Sequence, residues 1–204
     1  GYDGKGQIKV QPSSKPEEIW KNLGEKALIL EGFINFSSEF SVIGSRSKDG
    51  QISCFDPGEN VHKDGILRTT TVPAHLTNQQ KTEAVLITAK ILETLKYVGV
   101  IGIEFFLEKN SLVINEFAPR VHNSGHWTQN GCTVDQFEQH IRAITGWKLG
   151  NAERHSDVIM ENLIGDEIYK TNQLVEDGSI ALHLYGKADV SPGRKMGHFN
   201  RIKK

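Results

Sequence analysis

The stretch VGVIGIEFFLEKNSLVINEF, residues 98–117, decides the fold. Two apolar runs rich in Val, Ile and Phe lie on either side of the polar residues 109–111, which predicts two antiparallel strands joined by a tight turn. Strands that pair through hairpins, with a few covering helices, are typical of an α+β protein rather than of a doubly wound parallel sheet. We therefore predict the α+β class.

The predicted hairpin brings two carboxylates together. If residues 109–111 form a three-residue turn, counting back along both strands places Glu104 opposite Glu116 on one face; a two-residue turn would place Asn115 there instead. Like charges directly opposite destabilise a sheet unless a cation lies between them or one carboxyl holds a proton. Mg²⁺ prefers oxygen ligands and takes one or two carboxylates together with substrate phosphates. The hairpin alone allows a metal site or a pair of glutamates that face solvent.

The second predicted strand runs into a dense polar loop. The segment VINEFAPRVHNSGHWTQNG, residues 113–131, carries six polar or charged side chains after the strand: Arg120, His122, Asn123, Ser124, His126 and Gln129. A connecting loop does not need so many different hydrogen-bonding groups, and binding and catalytic residues are concentrated on loops. The loop is therefore the candidate functional site.

The composition excludes several classes of protein. The 204 residues are enough for one large domain or two small ones, and the net charge of −1 gives no bulk attraction to nucleic acid or to an anionic membrane. The two cysteines, Cys54 and Cys132, favour reduced thiols in a cytosolic protein. No signal peptide is visible, and no apolar run reaches the roughly 18 residues of a membrane span. We expect a cytoplasmic protein without nucleic-acid or membrane partners.

Periodicity predicts the other elements. Helices are predicted at 14–24, 77–99 and 133–147, and strands at 7–12, 26–36, 38–47, 50–57, 156–165 and within 180–202, whereas 57–75 is predicted to be mostly loop. Ser14 is the predicted N-cap of the first helix. Thr77 and Gln80 predict a capping box at the second. On the third helix, the predicted inward side chains are Phe137, Ile141 and Ile144.

Five segments resemble the N5-carboxyaminoimidazole ribonucleotide synthase family of ATP-grasp enzymes, the ATPase subunits of phosphoribosylaminoimidazole carboxylase. They are GYDGKGQ (1–7), EGFINFSSEFSVIGSR (31–46), GILRTT (65–70), GVIGIEFFL (99–107) and NEFAPRVHNSGHWTQNG (115–131). The resemblance covers essentially the whole chain. The run PRVHNSGHWT (119–128) is its most specific part, because other ATP-grasp ligases share the acidic metal pattern but not this run.

The resemblance implies an ATP-grasp fold in three parts. Residues 1–30 are expected to be the remainder of a lid subdomain, 31–150 the core with its antiparallel sheet, metal site and nucleotide site, and 151–204 a small β-rich C-terminal domain. Family members carry about a hundred further N-terminal residues, including an α/β domain that this chain lacks. We therefore expect the isolated chain to be inactive or impaired.

The resemblance also implies a reaction. The family carboxylates 5-aminoimidazole ribonucleotide with bicarbonate and ATP through carboxyphosphate, which gives N5-carboxyaminoimidazole ribonucleotide, ADP and phosphate in purine biosynthesis. The implied cofactors are ATP and Mg²⁺, for which Mn²⁺ can substitute, and the implied assembly is a homodimer. Arg120 would hold bicarbonate or carboxyphosphate bidentately. His122 and Asn123 would lie beside the bicarbonate and the amine, where a histidine could accept a proton.

The remaining assignments follow from the same resemblance. The expected ATP-binding residues are Gly1, Tyr2, Asp3, Gly4, Lys5, Gly6 and Gln7 in a lid loop, Glu31, Gly32, Phe33 and Ile34 in a hinge strand, and Glu39, His62, Asn115 and Glu116. The expected metal ligands are Glu104 and Glu116. The expected ribonucleotide-binding residues are Tyr2, Asp3, Lys5, Lys187 and Arg194. Lys5 stands where arginine is common in the family.

The sequence leaves three alternatives open. A different ATP-grasp carboxylate–amine ligase would keep Glu104 and Glu116 without needing the run 120–127. A metal-dependent hydrolase would use His122 and His126 as ligands at i, i+4 spacing, which requires a helix that Pro119 and the residues 123–125 disfavour. A truncated nucleotide-binding module would bind ATP without turnover.

Overall fold

The structure of the protein is a computed structural model that describes residues 6–203. The predicted lid residues Gly1, Tyr2, Asp3, Gly4 and Lys5 lie outside the described residues.

One antiparallel sheet organises the described part of the chain. Its nine strands are β1 (Ser38–Arg46), β2 (Ile52–Cys54), β3 (Gly58–Lys63), β4 (Ile66–Val72), β5 (Gly99–Glu108), β6 (Ser111–Ala118), β7 (Asp157–Ile164), β8 (Ile180–Leu184) and β9 (Lys195–Lys203). The order across the sheet is β6-β5-β1-β3-β4-β7-β9-β8, and β2 pairs with β1. The C-terminal strands join the sheet because β7 pairs with β4.

Five α-helices accompany the sheet within residues 6–203. They are α1 (Pro16–Asn22), α2 (Asn78–Leu95), α3 (Thr128–Gly131), α4 (Gln136–Thr145) and α5 (Thr171–Leu174), with 3-10 turns at Asn123–Gly125 and Gly165–Lys170. The predicted α+β class is confirmed. No helix in the described range 6–203 has both the length and the apolar character needed to cross a membrane.

Helices pack on both faces of the sheet. Successive strand residues point to opposite faces. Val42 of β1 belongs to a core cluster with Leu92 of α2, whereas the next residue, Ile43, belongs to a second cluster with Trp127 beside α3. The sheet is therefore buried on both sides in this region. The polar loop lies on the Trp127 face.

The capping prediction for α2 is confirmed. Thr77 and Gln80 form the reciprocal capping box. The helix ends at Leu95 rather than near Gly99, because Lys96 adopts the left-handed conformation with φ 48°. The predicted N-cap of α1 is wrong, since Lys15 takes that position and the Ser14 hydroxyl accepts the Gln11 N–H instead.

Two predicted strands and one predicted loop are wrong. Residues 7–12 and 26–36 form no strand, and Ile29 and Leu30 are 87% and 86% exposed. An alternating apolar pattern gives a strand only where a partner strand lies alongside. None of the described strands pairs with residues 7–12 or 26–36. The segment 57–75 contains the β3–β4 hairpin. Its turn uses Asp64 at φ 53° and Gly65 at φ 73°, the Asp-Gly signal of a two-residue turn that the loop prediction missed.

The predicted inward face of α4 is also wrong. Phe137, Ile141 and Ile144 are exposed, and the buried face carries Gln136, Gln139 and Ala143. Gln139 satisfies two backbone groups, because it donates to the Gly150 carbonyl and accepts the Gly150 N–H. Periodicity of apolar residues cannot detect a buried face whose side chains hold loops by hydrogen bonds.

Candidate functional site

The β5–β6 hairpin places two carboxylates opposite each other. Glu104 pairs with Glu116, as the prediction required. The route differs from the predicted three-residue turn. Glu108 pairs with Ser111 across a two-residue turn, and a β-bulge between Glu104 and Phe105 leaves Asn115 out of register. The bulge restores the pairing of the two glutamates that the shorter turn would have lost.

These carboxylates line a cleft of about 550 Å³. Ten of the predicted site residues meet there: Gln7, Glu39, His62, Glu104, Asn115, Glu116, Arg120, His122, Asn123 and Lys187. His126 of the polar loop also lines the cleft, as do five residues that the sequence did not assign to the site: Gly65, Leu67, Phe106, Tyr185 and Lys195. Residues 120–126 follow β6, and Tyr185, Lys187 and Lys195 belong to the β8–β9 region, so the cleft spans the sheet.

Several predicted residues do not line this cleft. They are Gly6, Glu31, Gly32, Phe33, Ile34 and Arg194. The Arg194 guanidinium instead donates to the Asp189 carbonyl at 2.9 Å and lies 3.9 Å from the Asp189 carboxylate. The next residue, Lys195, contributes its cation to the cleft. Alternation of adjacent side chains could have suggested that only one of these two cations faces inward.

The carboxylate pair has the properties of a cation site. Burial raises the pKa of Glu104, and the facing Glu116 raises it further against the opposing effect of His62. Ligand atoms of Glu104, Glu116 and His122 all lie within 4.8 Å of one another. Two facing carboxylates repel each other, and a divalent cation between them removes that repulsion. The residues present therefore fit Mg²⁺.

A second acidic group lies beside the first pair. His62 Nδ1 on β3 lies 2.6 Å from Glu39 Oε2 on β1. Burial lowers the pKa of His62, but contact with the Glu39 carboxylate outweighs burial and leaves that pKa raised. Glu39 and His62 therefore form a close pair at one side of the cleft.

The loop residues are held from several directions. His122 Nε2 lies 3.6 Å from Glu104 Oε1, and burial, with a smaller effect of Arg120, lowers the pKa of His122 to about 4. Asn123 and Asn162 exchange two amide hydrogen bonds of 2.9 and 2.8 Å. Asn162 of β7 was missed by sequence reasoning. Asn162 continues the alternation of the buried strand residues Val158 and Met160, so the sequence could have indicated a buried polar residue at this position.

The alternative of a His122–His126 metal pair finds no support. Residues 123–125 form a 3-10 turn rather than an α-helix. His126 Nδ1 contacts the Gln136 amide at 2.9 Å, and its ring stacks on Phe137 and His198. Within residues 6–203, the group suited to a metal is Glu104, Glu116 and His122, and it does not include His126.

Comparison with known proteins defines the class. The ATP-grasp domain model matches residues 1–137, and the phosphoribosylaminoimidazole carboxylase C-terminal domain model matches residues 158–204. The chain belongs to the ATP-grasp family. Within that family, the resemblance to N5-carboxyaminoimidazole ribonucleotide synthases predicted from the sequence is confirmed by named relatives across the full chain.

Three relatives illustrate the match. The N5-carboxyaminoimidazole ribonucleotide synthase of Brucella melitensis is 50% identical over 206 residues, which cover 100% of this chain and 57% of that protein. A solved ADP complex of an N5-carboxyaminoimidazole ribonucleotide synthetase has a TM-score of 0.93 at 38% identity and covers 100% of this chain and 54% of the other. The Aspergillus clavatus synthase with ADP and 5-aminoimidazole ribonucleotide has a TM-score of 0.87 at 31% identity, covering 92% and 52%. The chain thus spans about half the length of the relatives it matches.

Proposed function

We propose that this chain carries the metal, bicarbonate and ribonucleotide sites for ATP-dependent carboxylation of 5-aminoimidazole ribonucleotide. The products would be N5-carboxyaminoimidazole ribonucleotide, ADP and phosphate, formed through carboxyphosphate in purine biosynthesis. One observation carries the proposal: a single cleft combines the facing Glu104 and Glu116 with the cations Arg120, Lys187 and Lys195. A cation site for nucleotide phosphates beside positive charge for anionic substrates is what this reaction requires. The Aspergillus relative, solved with ADP and the ribonucleotide, supports the choice of substrates.

The carboxylates would hold Mg²⁺ against the ATP phosphates. A bound Mg²⁺ neutralises phosphate charge and aligns the attacking and leaving oxygens in phosphoryl transfer. The protein contributes the spacing of Glu104 and Glu116, which the β-bulge fixes. Asn115, the residue at the bulge, adds an amide at the same edge.

Nucleotide binding is proposed for the opposite side of the cleft. Glu39, held by His62, is suited to accept hydrogen bonds from ribose hydroxyls, and Gln7 lies at the same cleft. The hinge residues Glu31, Gly32, Phe33 and Ile34 and the lid residues 1–6 remain predicted ATP contacts. They belong to the ATP-grasp match over 1–137.

Arg120 is proposed to bind bicarbonate and then carboxyphosphate. Its Nη1 donates to the Val121 carbonyl at 2.9 Å, and the exposed side chain borders the cleft. A planar guanidinium can present two parallel N–H groups to two oxygens of one anion, which a lysine cannot do. His122 and Asn123 would complete the pocket for bicarbonate and the amine.

The ribonucleotide phosphate is proposed to bind at the β8–β9 region. Lys187 lies 5.4 Å above the Tyr185 ring and lines the cleft, as does Lys195. Tyr2, Asp3, Lys5 and Arg194 remain predicted contacts of the same substrate. The concentration of cations here matches the charge of a phosphate monoester.

We also retain the proposed division into 1–30, 31–150 and 151–204. The matches over 1–137 and 158–204 are consistent with a boundary near 150. A homodimer remains a prediction that sedimentation velocity can test.

The proposed activity is tested by ADP release. The protein for this assay is a chimera that joins this chain to the part of the Brucella relative outside the matched region. With Mg-ATP and bicarbonate, ADP release should rise steeply when 5-aminoimidazole ribonucleotide is added. Release that is indifferent to the ribonucleotide would exclude the proposed substrate.

Arg120→Lys tests the bicarbonate role in the same chimera. Loss of the bidentate contact should lower turnover by about a hundredfold or more, the size expected when a donor to a developing charge is lost. ATP affinity, measured by calorimetry, should stay nearly unchanged. Arg142→Lys on α4, where the arginine pairs with Glu138, is the matched control. An equal loss of ATP affinity in Arg120→Lys would contradict a bicarbonate role.

A further inference from the structure

The two histidines of the polar loop, His122 and His126, each meet hydrogen-bond donors at Nδ1. The ring nitrogen that carries the proton decides whether a histidine donates, accepts or binds a metal in the cleft. The contacts around residues 122–136 assign that proton.

The side chain of Gln136 is oriented by the backbone of His122. The His122 N–H donates to Gln136 Oε1 at 2.8 Å, and Gln136 Nε2 donates to the His122 carbonyl at 2.8 Å. A backbone N–H can only donate and a carbonyl can only accept, so both amide positions are fixed. Gln136 is fully buried. A Cβ at Gly125 would lie 2.6 Å from Gln136 Oε1, so only glycine leaves room for this arrangement.

The second hydrogen of the Gln136 amide determines the state of His126. Gln136 Nε2 lies 2.9 Å from His126 Nδ1. An amide nitrogen donates and does not accept, so Nδ1 must be the acceptor and the proton of the neutral ring lies on Nε2. Stacking between Phe137 and His198, at centroid distances of 5.4 and 4.7 Å, keeps the ring in this orientation.

Ser124 has the same effect on His122. The Ser124 N–H donates to His122 Nδ1 at 3.4 Å, and the Ser124 hydroxyl lies 2.8 Å from the same nitrogen. The Ser41 hydroxyl donates to Ser124 Oγ at 2.6 Å, which leaves the Ser124 hydrogen free to point at the ring. Both serines are buried.

We infer that Gln136 and Ser124 are positioning residues that hold both loop histidines as neutral Nε2–H tautomers. In this state His122 donates a hydrogen bond from Nε2 to a substrate oxyanion. His122 therefore neither accepts a proton at Nε2 nor binds the metal. The choice of a substrate oxyanion as the acceptor rests on the proposed function, whereas the assignment of the tautomers does not. The His122 N–H then faces Glu104 at the rim of the metal site. The metal site is reduced to the two carboxylates, which matches the preference of Mg²⁺ for oxygen. The donors at Nδ1 leave no room for a second ring proton on either histidine, and burial lowers the pKa of His126 to about 3.

Nitrogen NMR of the full chain tests the tautomers. The chain is labelled with ¹⁵N-histidine, and two-bond proton–nitrogen correlations at pH 7 distinguish protonated from bare ring nitrogens. His122→Asn and His126→Asn assign the signals by subtraction. A protonated Nε2 and a bare Nδ1 are expected for both residues. A protonated Nδ1 at either residue of the unaltered chain overturns the inference for that residue.

Gln136→Glu tests the cause. At a pH where the introduced carboxyl is ionised it can only accept, so His126 should then convert to the Nδ1–H tautomer while His122 keeps its own. Gln79→Glu, the same change on the exposed start of α2, should alter neither ring. The carbon-13 shift of the introduced carboxyl reports its ionisation, and an unchanged His126 beside the ionised carboxylate in folded Gln136→Glu protein would show that Gln136 does not set the tautomer. If that variant does not fold, the unaltered chain still decides the assignment.

His122→Gln tests the consequence in the chimera. Glutamine retains an N–H donor but has no basic nitrogen. If His122 acts as a donor, His122→Gln should keep kcat within about tenfold, whereas His122→Ala should lose about a hundredfold, as when one oxyanion donor is removed. Equal losses in both variants would exclude the donor role. An unaltered chimera without ADP release would contradict the proposed function and leave the NMR result as the test of the tautomers.

Discussion

Replacement of Asn162 by aspartate should destabilise the fold in a pH-dependent manner. Asn162 Nδ2 donates to the Leu67 carbonyl at 2.9 Å and to Asn123 Oδ1 at 2.8 Å, and the residue is fully buried. An ionised carboxylate at this position would face two acceptors with no hydrogen to offer. The introduced carboxyl must therefore take up a proton, which costs about 4 kcal/mol at pH 7 from a reference pKa of about 3.9. One of the two acceptors still loses its donor, at about 1–3 kcal/mol.

The difference in unfolding free energy between Asn162→Asp and the unaltered chain should become smaller at acidic pH. At pH 5 the cost of protonation falls to about 1.5 kcal/mol, so Asn162→Asp should recover about 2.7 kcal/mol relative to the unaltered chain. Urea unfolding at both pH values measures this difference, and loss of folding at pH 7 with recovery at pH 5 has the same meaning. Asn110→Asp, in the exposed β5–β6 turn, is the control and should change stability by less than about 0.5 kcal/mol. A small or pH-independent effect of Asn162→Asp would refute the assigned hydrogen bonds.

Three further results are expected. Glu104→Gln should weaken Mn²⁺ binding by about tenfold or more, measured by electron paramagnetic resonance, because one of two carboxylate ligands is lost; unchanged affinity would place the metal elsewhere. Gly102→Ala should lower stability by about 1–3 kcal/mol in thermal melts, since its Cβ would lie 2.7 Å from His122 Cβ, whereas Gly178→Ala, with open space around it, should not. Burial lowers the pKa of His198 from 6.5 to about 2, so the unfolded chain binds the proton first as pH falls. Between neutral pH and about pH 5.5, the free energy of unfolding should therefore fall by about 1.4 kcal/mol because of this residue alone. His198→Phe should reduce that fall, as measured by urea unfolding.

Local sequence signals predicted the parts of the fold that depend on local contacts. The β5–β6 hairpin and the α2 capping box each lie within one stretch of chain, and both are present, although the hairpin has a shorter turn than predicted. The strand predicted at 26–36 depends on a partner strand, which a local pattern cannot reveal. The bulge at Asn115 was not predicted for a similar reason, because the register depends on both strands and on what they pack against.

Many of the residues that line the cleft were predictable from the sequence, whereas the residues that hold the loop in place were not. Arg120, His122 and Asn123 are close together in sequence, so one dense polar run indicated them together. The residues that hold the loop are dispersed: Gln136 on α4 and Asn162 on β7 are far apart in the chain and look like ordinary positions of a helix and a strand. Only the fold brings them to the loop.

The buried polar residues around the loop explain why its geometry can be specific. Ser41, Gln136 and Asn162 are almost completely buried, belong to three different elements, and direct their hydrogen bonds into residues 122–126. A buried polar group is favourable only while its partner stays in place, so each of these contacts penalises displacement of the loop. A loop tied in this way can hold donors at fixed positions without reorganising when charge develops on a substrate, which is the main requirement of electrostatic stabilisation. Substitutions at these distant positions should therefore lower turnover more than they lower substrate affinity, although none of the three side chains needs to touch the substrate.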